Sequence, residues 1–371
     1  MTSHNDPTSV QPQPRRTADE RHSTLDEFEE RWRDRQPFFE SRGYMFRPRL
    51  RPSWIPSWRS SGEHPMYAED GVALPLRTEL IDATRIEDGK LVYIKRIRTG
   101  DTETQIATML SSPELRQDPR NHAVPILEVI QDDEDLSISY LVMPFLRPID
   151  NPAFESVDEL LDFGDQILEG LVFLHEHDVA HRDCSSGNLL MDATSMYPQG
   201  FHPVNLAAQP SFHGRASYVS RSSAPKPVRY FYVDFGYSVH IPPSAPEKLV
   251  VGDLGRDQAP PELSAEVPYD PFKLDIFLIG NVFRKQFYQK YTNVDFLVPF
   301  IISMTERDPA VRPSASEALQ QWKTIRSNVS IWKRKWRLRG RKDELIETVA
   351  YDTASLVKTG WHLSKWALGL K

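Results

Sequence analysis

Residues 181–188 read HRDCSSGN, and residues 230–236 read YFYVDFG. The first segment follows a long apolar pattern of helical spacing, and it places Asp183 five residues before Asn188. The second segment ends a strand-like run on Asp234. Phosphoryl transfer needs a carboxylate that accepts or orients the proton of a hydroxyl group, and it needs oxygen ligands for Mg²⁺. Together the two segments indicate a phosphoryl-transfer site.

The surrounding pattern predicts strands before this point and mostly helices after residue 155. Two β-rich runs, TELIDATRI and KLVYIKRI, flank a Glu-Asp-Gly turn, and the helix TETQIATMLSS and the strands VPILEVI and LSISYLVMPFL follow. Residues 157–177 then form a helix whose broad apolar face contains Leu160, Leu161, Phe163, Ile167, Leu168, Leu171, Val172 and Leu174. The order predicts the α+β class, with a small β-rich lobe before a larger helical lobe.

The ordered motifs resemble those of the eukaryotic protein kinases. The resemblance is to a divergent member of that family, and the fungal-type protein kinases are one candidate branch. A lone Asp-Phe-Gly recurs by chance, so the resemblance rests on the order and spacing of the whole set. It implies a two-lobed protein-kinase-like fold, with a β-rich N-lobe and a helical C-lobe. It also implies ATP as the phosphoryl donor and Mg²⁺ as the metal.

The resemblance gives each matching residue a role. Lys95 ends the strand VYIK and matches the lysine that neutralises the α and β phosphates of ATP, and Glu103 matches its ion-pair partner. Asp183 matches the catalytic aspartate, Asn188 the amide that binds the second metal ion, and Asp234 the metal-binding aspartate. Taken alone, Lys95 could equally be a surface lysine at a strand end, and an exposed position is the ordinary case for a glutamate such as Glu103.

The segment YLVMPFL resembles the hinge that joins the two lobes. This puts Met143 at the gatekeeper position, with the carbonyl of Pro144 and the amide of Leu146 against adenine. Three residues further along the chain resemble scaffold positions of the family: Glu262 in the segment Ala-Pro-Pro-Glu, its partner Arg312, and Asp275, which braces the catalytic loop.

The chain departs from the family at two places that bear on catalysis. The family's catalytic loop carries a cation either two or four residues after the aspartate, and these positions are Ser185 and Gly187 here. No Gly-x-Gly-x-x-Gly precedes Lys95, since Gly43, Gly62 and Gly71, the glycines before the Gly89 turn, do not have this spacing. A missing cation at the γ-phosphate weakens transition-state stabilisation. We therefore expect these departures to affect turnover and nucleotide affinity.

Composition excludes several classes of protein. The formal net charge of −7 and the pI near 5.9 argue against a nucleic-acid binder, which should carry a basic surplus. A single cysteine, Cys184, cannot form an intramolecular disulfide, which fits a reducing, cytoplasmic or nuclear compartment. No segment has the composition of a signal peptide or the apolar length of a transmembrane helix.

Composition also divides the chain into five predicted regions. These are a disordered tail at 1–22, a helix and Pro/Trp-rich extension at 23–77, an N-lobe at 78–146, a C-lobe at 147–328, and a basic, amphipathic tail at 329–371. A Ser23–Asp26 capping pattern is expected to start the first helix. Within the C-lobe, an insertion at about 192–229 reads as a mobile surface loop. The C-terminal tail predicts a solvated helix whose tryptophans pack on the domain, with peripheral contact to phosphates or anionic lipid as the alternative.

The favoured hypothesis is a protein kinase that transfers the γ-phosphate of ATP to serine or threonine hydroxyls of a protein substrate. Serine or threonine is preferred because Gly187 replaces the arginine typical of tyrosine-specific loops. A pseudokinase that uses the fold as a binding or scaffolding module is the alternative. A small-molecule phosphotransferase shares the spacing of the acid and the amide, but usually has a small residue at the position of Arg182 and lacks Asp-Phe-Gly.

Overall fold

The computed structural model describes residues 17–75 and 79–343, which combine helices with antiparallel strand pairs. The chain divides into two compact units. The first holds the described residues up to Val92 together with Gln199–Ala216, and the second holds Tyr93–Pro198 and the described residues from Ser217 onward. Each unit is described separately below.

The first unit contains short helices and one strand pair. Its elements are α1 (Ala18–Ser23), α2 (Glu27–Ser41), β1 (Tyr44–Met45), α3 (Trp58–Ser61) and β2 (Leu80–Arg85), and β1 pairs antiparallel with β2. Helix α1 shows that the predicted disordered tail extends too far, because Thr17 and Glu20 form a capping box that starts a helix inside it. Residues 1–16 lie outside the described part.

The cap of α2 differs from the expected one. Asp26 is the N-cap residue, and it forms the capping box with Glu29 in place of the predicted pairing of Ser23 with Asp26. An aspartate caps a helix as well as a serine does, and the glutamate three residues further on returns a bond to the N-cap backbone. The predicted helix is therefore confirmed, with a start three residues later.

The Pro/Trp-rich extension is anchored by its aromatic and charged side chains. The indole of Trp58 donates a hydrogen bond to Asp19 at 2.7 Å, and that of Trp54 donates to Asp70 at 2.9 Å. The fully buried Arg49 binds both carboxylate oxygens of Glu29. The tryptophans thus anchor this segment on the core of the first unit.

Residues 46–79, between β1 and β2, include several short helices, among them α3, in place of a tight glycine-rich turn. The guanidinium of Arg47 donates to Asp82 at 3.0 Å and to the carbonyl of Val72 at 3.1 Å within this unit. The connection is therefore a folded segment held by side chains. The segment contains no Gly-x-Gly-x-x-Gly motif.

The prediction of a mobile surface loop is wrong for residues 199–216 of the insertion. Phe201 and His202 are buried, and the imidazole of His202 lies 3.1 Å from the carboxylate of Glu69 in the same unit. Backbone bonds such as Gln209 N–H to the carbonyl of Gly214 close the internal turns. Serine- and proline-rich composition indicated a loop, but it gave no information about its long-range partners.

The second unit contains the remaining strands and helices. The strands are β3 (Leu91–Arg98), whose first two residues belong to the first unit, β4 (Glu128–Gln131), β5 (Ile138–Pro144), β6 (Arg147–Pro148), β7 (Val179–Ala180), β8 (Leu189–Asp192), β9 (Arg229–Tyr232), β10 (Val239–His240), β11 (Val250–Gly252) and β12 (Ser264–Tyr269). The helices are α4 (Thr102–Leu110), α5 (Val157–Glu176), α6 (Pro271–Phe283), α7 (Val298–Met304), α8 (Ala315–Asn328) and α9 (Ile331–Lys335).

The predicted order of strand, strand, helix, strand and strand is confirmed by β2, β3, α4, β4 and β5. The small sheets β7-β10 and β6-β8-β9 flank three of the motif residues, since Asp183 and Asn188 lie between β7 and β8 and Asp234 follows β9. Helix α5 forms the centre of the helical part, and its predicted apolar face is buried throughout. Phe163 of α5 packs against Phe283 and Phe287, which gives this unit an aromatic core.

None of the described helices is long and apolar enough to cross a membrane. At the C-terminal end of the described residues, Arg334 and Lys335 of α9 both pair with Asp158 at the start of α5. Trp332 is 71% exposed, so the expectation that both tryptophans of this stretch pack on the domain is wrong for Trp332. Residues 344–371 of the predicted amphipathic tail lie outside the described residues.

Candidate active site

Two neighbouring motif residues and a third one 139 residues further along the chain meet in one hydrogen-bonded cluster. The ammonium of Lys95, on β3, lies 2.6 Å from Oε1 of Glu103 and 2.8 Å from Oδ1 of Asp234. Glu103 stands in the first turn of α4, and the Asp101 cap fixes the start of that helix. The predicted ion pair between Lys95 and Glu103 is therefore present, and Asp234 shares the same cation.

Burial and charge oppose each other in this cluster. Burial would lower the pKa of Lys95, but the carboxylates of Glu103 and Asp234 outweigh it and raise that pKa above its usual value. Burial would raise the pKa of Asp234, and the charge of Lys95 holds it below its ordinary range. For Glu103 burial is the stronger influence, so its pKa is raised. At neutral pH Lys95 is thus charged and balances Asp234.

A second cluster joins the other two motif residues. The amide nitrogen of Asn188 donates to the carboxylate of Asp183 at 2.8 Å and to the Asp183 carbonyl at 3.1 Å, and both residues are buried. Burial raises the pKa of Asp183, although bonds from Asn188 and from the backbone of Arg256 oppose the shift. A raised pKa makes this carboxylate a stronger proton acceptor.

The buried carboxylate of Asp275 fixes the backbone of the loop that carries Asp183. Asp275 of α6 accepts hydrogen bonds from the backbone amides of His181 and Arg182, both at 2.7 Å. Arg182 has a positive φ of 65°, a conformation that needs such support in a residue with a side chain. Cys184 is fully buried against Asp275, which matches the small buried hydrophobe expected for a lone cysteine.

The segment after Asp234 is tied to the same loop. The guanidinium of Arg182 donates to the carbonyl of Val251 and to the hydroxyl of Tyr269, each at 2.9 Å. Further along, the predicted pair of Arg312 and Glu262 is confirmed as a bidentate ion pair of buried side chains. The side chains of Arg182 and Arg312 therefore hold the segment after Asp234 in place.

Met143 and Leu146, predicted to face adenine, lie at the end of β5 and just beyond it. Phe145 between them stacks on Tyr93 at a ring distance of 4.3 Å, and Leu146 is buried while Met143 is half-buried. The side chains of Met143 and Leu146 take no part in the side-chain bonds that build the two charged clusters. Their assignment to the nucleotide stays a prediction.

Sequence reasoning missed one residue of the site. The backbone amide of Arg256 donates to Oδ1 of Asp183 at 2.9 Å, and its side chain lies beside Gly187. Arg256 stands in the segment GDLGRDQ, which contains no motif that indicates a functional arginine. The spacing of 73 residues from Asp183 carries no local periodicity, so only the folded chain reveals the contact.

The donor set around these clusters suits magnesium. Asn188 uses its amide nitrogen on Asp183, which leaves the amide oxygen as a ligand, and Asp234 supplies a carboxylate that is 44% exposed. No group of three or more His, Cys, Asp or Glu side chains in the described ranges could hold a metal ion by itself. Magnesium commonly binds one or two carboxylates together with substrate phosphates, so the two ligands fit that mode.

A comparison of the chain with models of known protein families finds no match.

Proposed function

We propose that this protein is a kinase that transfers the γ-phosphate of ATP to serine or threonine hydroxyls of a protein substrate. The observation that carries the proposal is the cluster of Lys95, Glu103 and Asp234, together with the hydrogen-bonded Asp183 and Asn188. A cation shared by two carboxylates and a buried aspartate of raised pKa are the groups that phosphoryl transfer uses.

The roles follow from the chemistry of each side chain. Lys95 binds the α and β phosphates, and Glu103 keeps its ammonium in position. Asp183 accepts the proton of the acceptor hydroxyl as the hydroxyl oxygen bonds to the γ-phosphorus. The bond from that phosphorus to the β–γ bridging oxygen breaks, and its electron pair leaves with ADP. Magnesium held by Asp234 and Asn188 would supply positive charge to the phosphates.

A pseudokinase that binds partners without turnover is the second candidate. Two observations favour it, namely the uncharged Ser185 and Gly187 on the catalytic loop, and the folded segment in place of a glycine-rich turn between β1 and β2. Both would weaken phosphate binding or stabilisation of the transition state.

A matched pair of variants separates binding from chemistry. MgATP should raise the unfolding midpoint of the wild type, since a ligand present at 100 times its Kd stabilises the native state by about 2.7 kcal/mol. Asp234→Asn should lose this rise. Asp183→Asn should keep it, but transfer from labelled ATP to serine- and threonine-centred peptides should fall on the order of 10³-fold.

The alternatives give different patterns. Wild type that is stabilised by MgATP yet transfers no phosphate, like Asp183→Asn, would favour the pseudokinase. The absence of any stabilisation at millimolar MgATP would refute nucleotide binding at Asp234. Preferred phosphorylation of sugars or aminoglycosides over peptides would identify a small-molecule phosphotransferase.

A further inference from the structure

Arg256 lies directly against the carboxylate of Asp183. Its backbone amide donates to Oδ1 at 2.9 Å, and its side-chain Nε lies 4.0 Å from Oδ2. The side chain of Arg256 is 55% exposed, whereas that of Asp183 is buried. One face of the guanidinium therefore meets the buried acid, and the other remains accessible to a ligand.

The Arg256 side chain fills space that a side chain at position 187 would need. A Cβ atom built on Gly187 would lie 2.8 Å from Nη1 of Arg256 and 3.2 Å from its Cζ. The absence of a side chain at Gly187 thus permits the close approach of the guanidinium to the catalytic loop. In the resembled family, position 187 is one of the two that carry the loop cation.

The backbone around Arg256 is fixed on both sides. Gly255 has a φ of +145°, which favours glycine, and a Cβ there would lie 3.6 Å from the Asp183 carboxylate. The carboxylate of Asp257 accepts hydrogen bonds from Asn281 at 2.9 Å and from Lys285 at 2.8 Å. The position of Arg256 is consequently set by the fold, while the end of its side chain stays adjustable.

The charge of Arg256 acts on both aspartates of the site. It is among the influences that oppose the raised pKa of Asp183, where burial is the largest. At Asp234, burial is the largest influence and acts to raise the pKa. Lys95 lowers that pKa, and the charge of Arg256 adds a smaller effect in the same direction. Within the described residues, the 4.0 Å contact with Asp183 is the one ion pair that Arg256 makes. The side chain is 55% exposed, which leaves the guanidinium room for a further anionic partner.

The Ser185 hydroxyl adds to this picture. Its oxygen is buried and has no hydrogen-bond partner among the described residues. Buried polar groups are normally hydrogen-bonded, so this hydroxyl is open to a further partner. Ser185 itself supplies no positive charge, whereas Arg256 forms an ion pair with Asp183.

We propose that the guanidinium of Arg256 contacts the γ-phosphate of ATP and supplies the positive charge that Ser185 and Gly187 lack. This inference rests on the proposed phosphoryl transfer. As the bond from the γ-phosphorus to the bridging oxygen breaks, negative charge builds on the transferred group and on ADP. A guanidinium is suited to this charge because it stays protonated and can bind two phosphate oxygens at once.

Four variants test the role of Arg256. Arg256→Ala should lower kcat on the order of 10²-fold, as removal of one transition-state donor does, and should reduce stabilisation by MgATP much less than Asp234→Asn does. Arg256→Lys should retain more activity than Arg256→Ala. Gly187→Arg in the Arg256→Ala background should recover part of kcat, because the cation returns to the same space from the other side. Arg307→Ala, at an exposed arginine, is the matched control and should behave as wild type.

The outcomes separate this inference from the proposed function. An active wild type whose kcat changes less than about threefold in Arg256→Ala would overturn the role of Arg256 alone, since that loss is far below the expected effect. Equal losses in Arg256→Ala and Arg256→Lys, with no recovery from Gly187→Arg, would also overturn it and indicate a purely structural contact. A wild type with no transfer activity would refute the proposed function and Arg256 with it.

Discussion

Two ion-pair clusters among the described residues, one in each unit, differ in how completely their charges are satisfied. In the first unit, Arg49 binds both oxygens of Glu29 and also the carbonyls of His22 and Thr24. The side chains of this pair are 1% and 0% exposed. In the second unit, Lys95 is 23% exposed and is shared between Glu103 and Asp234.

This difference separates a structural pair from a pair that is available to a ligand. Burial would raise the pKa of Glu29, but the hydrogen bonds from Arg49 and from the backbone of Leu74 outweigh it and keep that pKa below its usual value. The cluster around Lys95 leaves Asp234 44% exposed, so phosphate and metal can reach it. We therefore expect the first cluster to determine stability and the second to determine ligand binding.

The largest expected effect on stability comes from breaking the Glu29–Arg49 pair. Arg49→Met leaves a buried, unpaired carboxylate, which typically costs about 3–5 kcal/mol of unfolding free energy. Urea unfolding followed by tryptophan fluorescence measures this loss. The double variant Glu29→Met/Arg49→Met should regain much of it, because no charge then remains unpaired.

Arg59→Met is the control for that experiment, since Arg59 pairs with Asp19 at the surface, where both side chains are about half exposed. It should change the unfolding midpoint very little. Similar midpoints for Arg49→Met and Arg59→Met would contradict the distinction between the two kinds of ion pair.

The second unit also contains a buried titratable side chain, that of His122. Its effect on the free energy of unfolding can be tested through the pH dependence of that free energy. Burial lowers the pKa of His122 to about 4 from the usual 6.5, while its hydrogen bond to the Tyr230 carbonyl, at 2.7 Å, works in the opposite direction. As the pH falls below 6.5, His122 takes up a proton in the unfolded chain before it does so in the native state. The contribution of neutral His122 to stability is therefore present above pH 6.5 and is lost as the pH falls to about 4.

The expected loss is about 3 kcal/mol across that window, at about 1.4 kcal/mol for each unit of pKa difference. Unfolding free energies measured from pH 7 to pH 4 should fall less steeply in His122→Gln than in wild type. Parallel pH profiles would show that His122 is not a buried neutral imidazole.

The smallest expected change in stability is at Lys95. In Lys95→Met, Asp234 can be solvated and Glu103, whose pKa is already raised, can take up a proton, so unfolding free energy should fall by only about 1 kcal/mol. The stabilisation by MgATP should be lost nonetheless. Lys90→Met, at an exposed lysine just before β3, should keep it. A loss of stability as large as that of Arg49→Met would place Lys95 among the structural ions.

Local sequence patterns predicted α4, α5 and the strands around Lys95. The 20 residues of α5 were identified from their apolar face, and the strands around Lys95 from β-rich runs and a turn signal. These features depend on residues near one another in the chain, so periodicity and capping carry them. The first unit was harder, because residues 199–216 join it through contacts such as His202 with Glu69, which lie 133 residues apart.

The sequence by itself determined which chemical groups are present and in what order, from Lys95 and Glu103 to Asp183, Asn188 and Asp234. Only the tertiary structure decided which charges face one another. It brings Lys95 to Asp234 across 139 residues and sets Arg256 beside Asp183 and Gly187. Such contacts depend on how distant elements pack, and no local propensity or spacing encodes them.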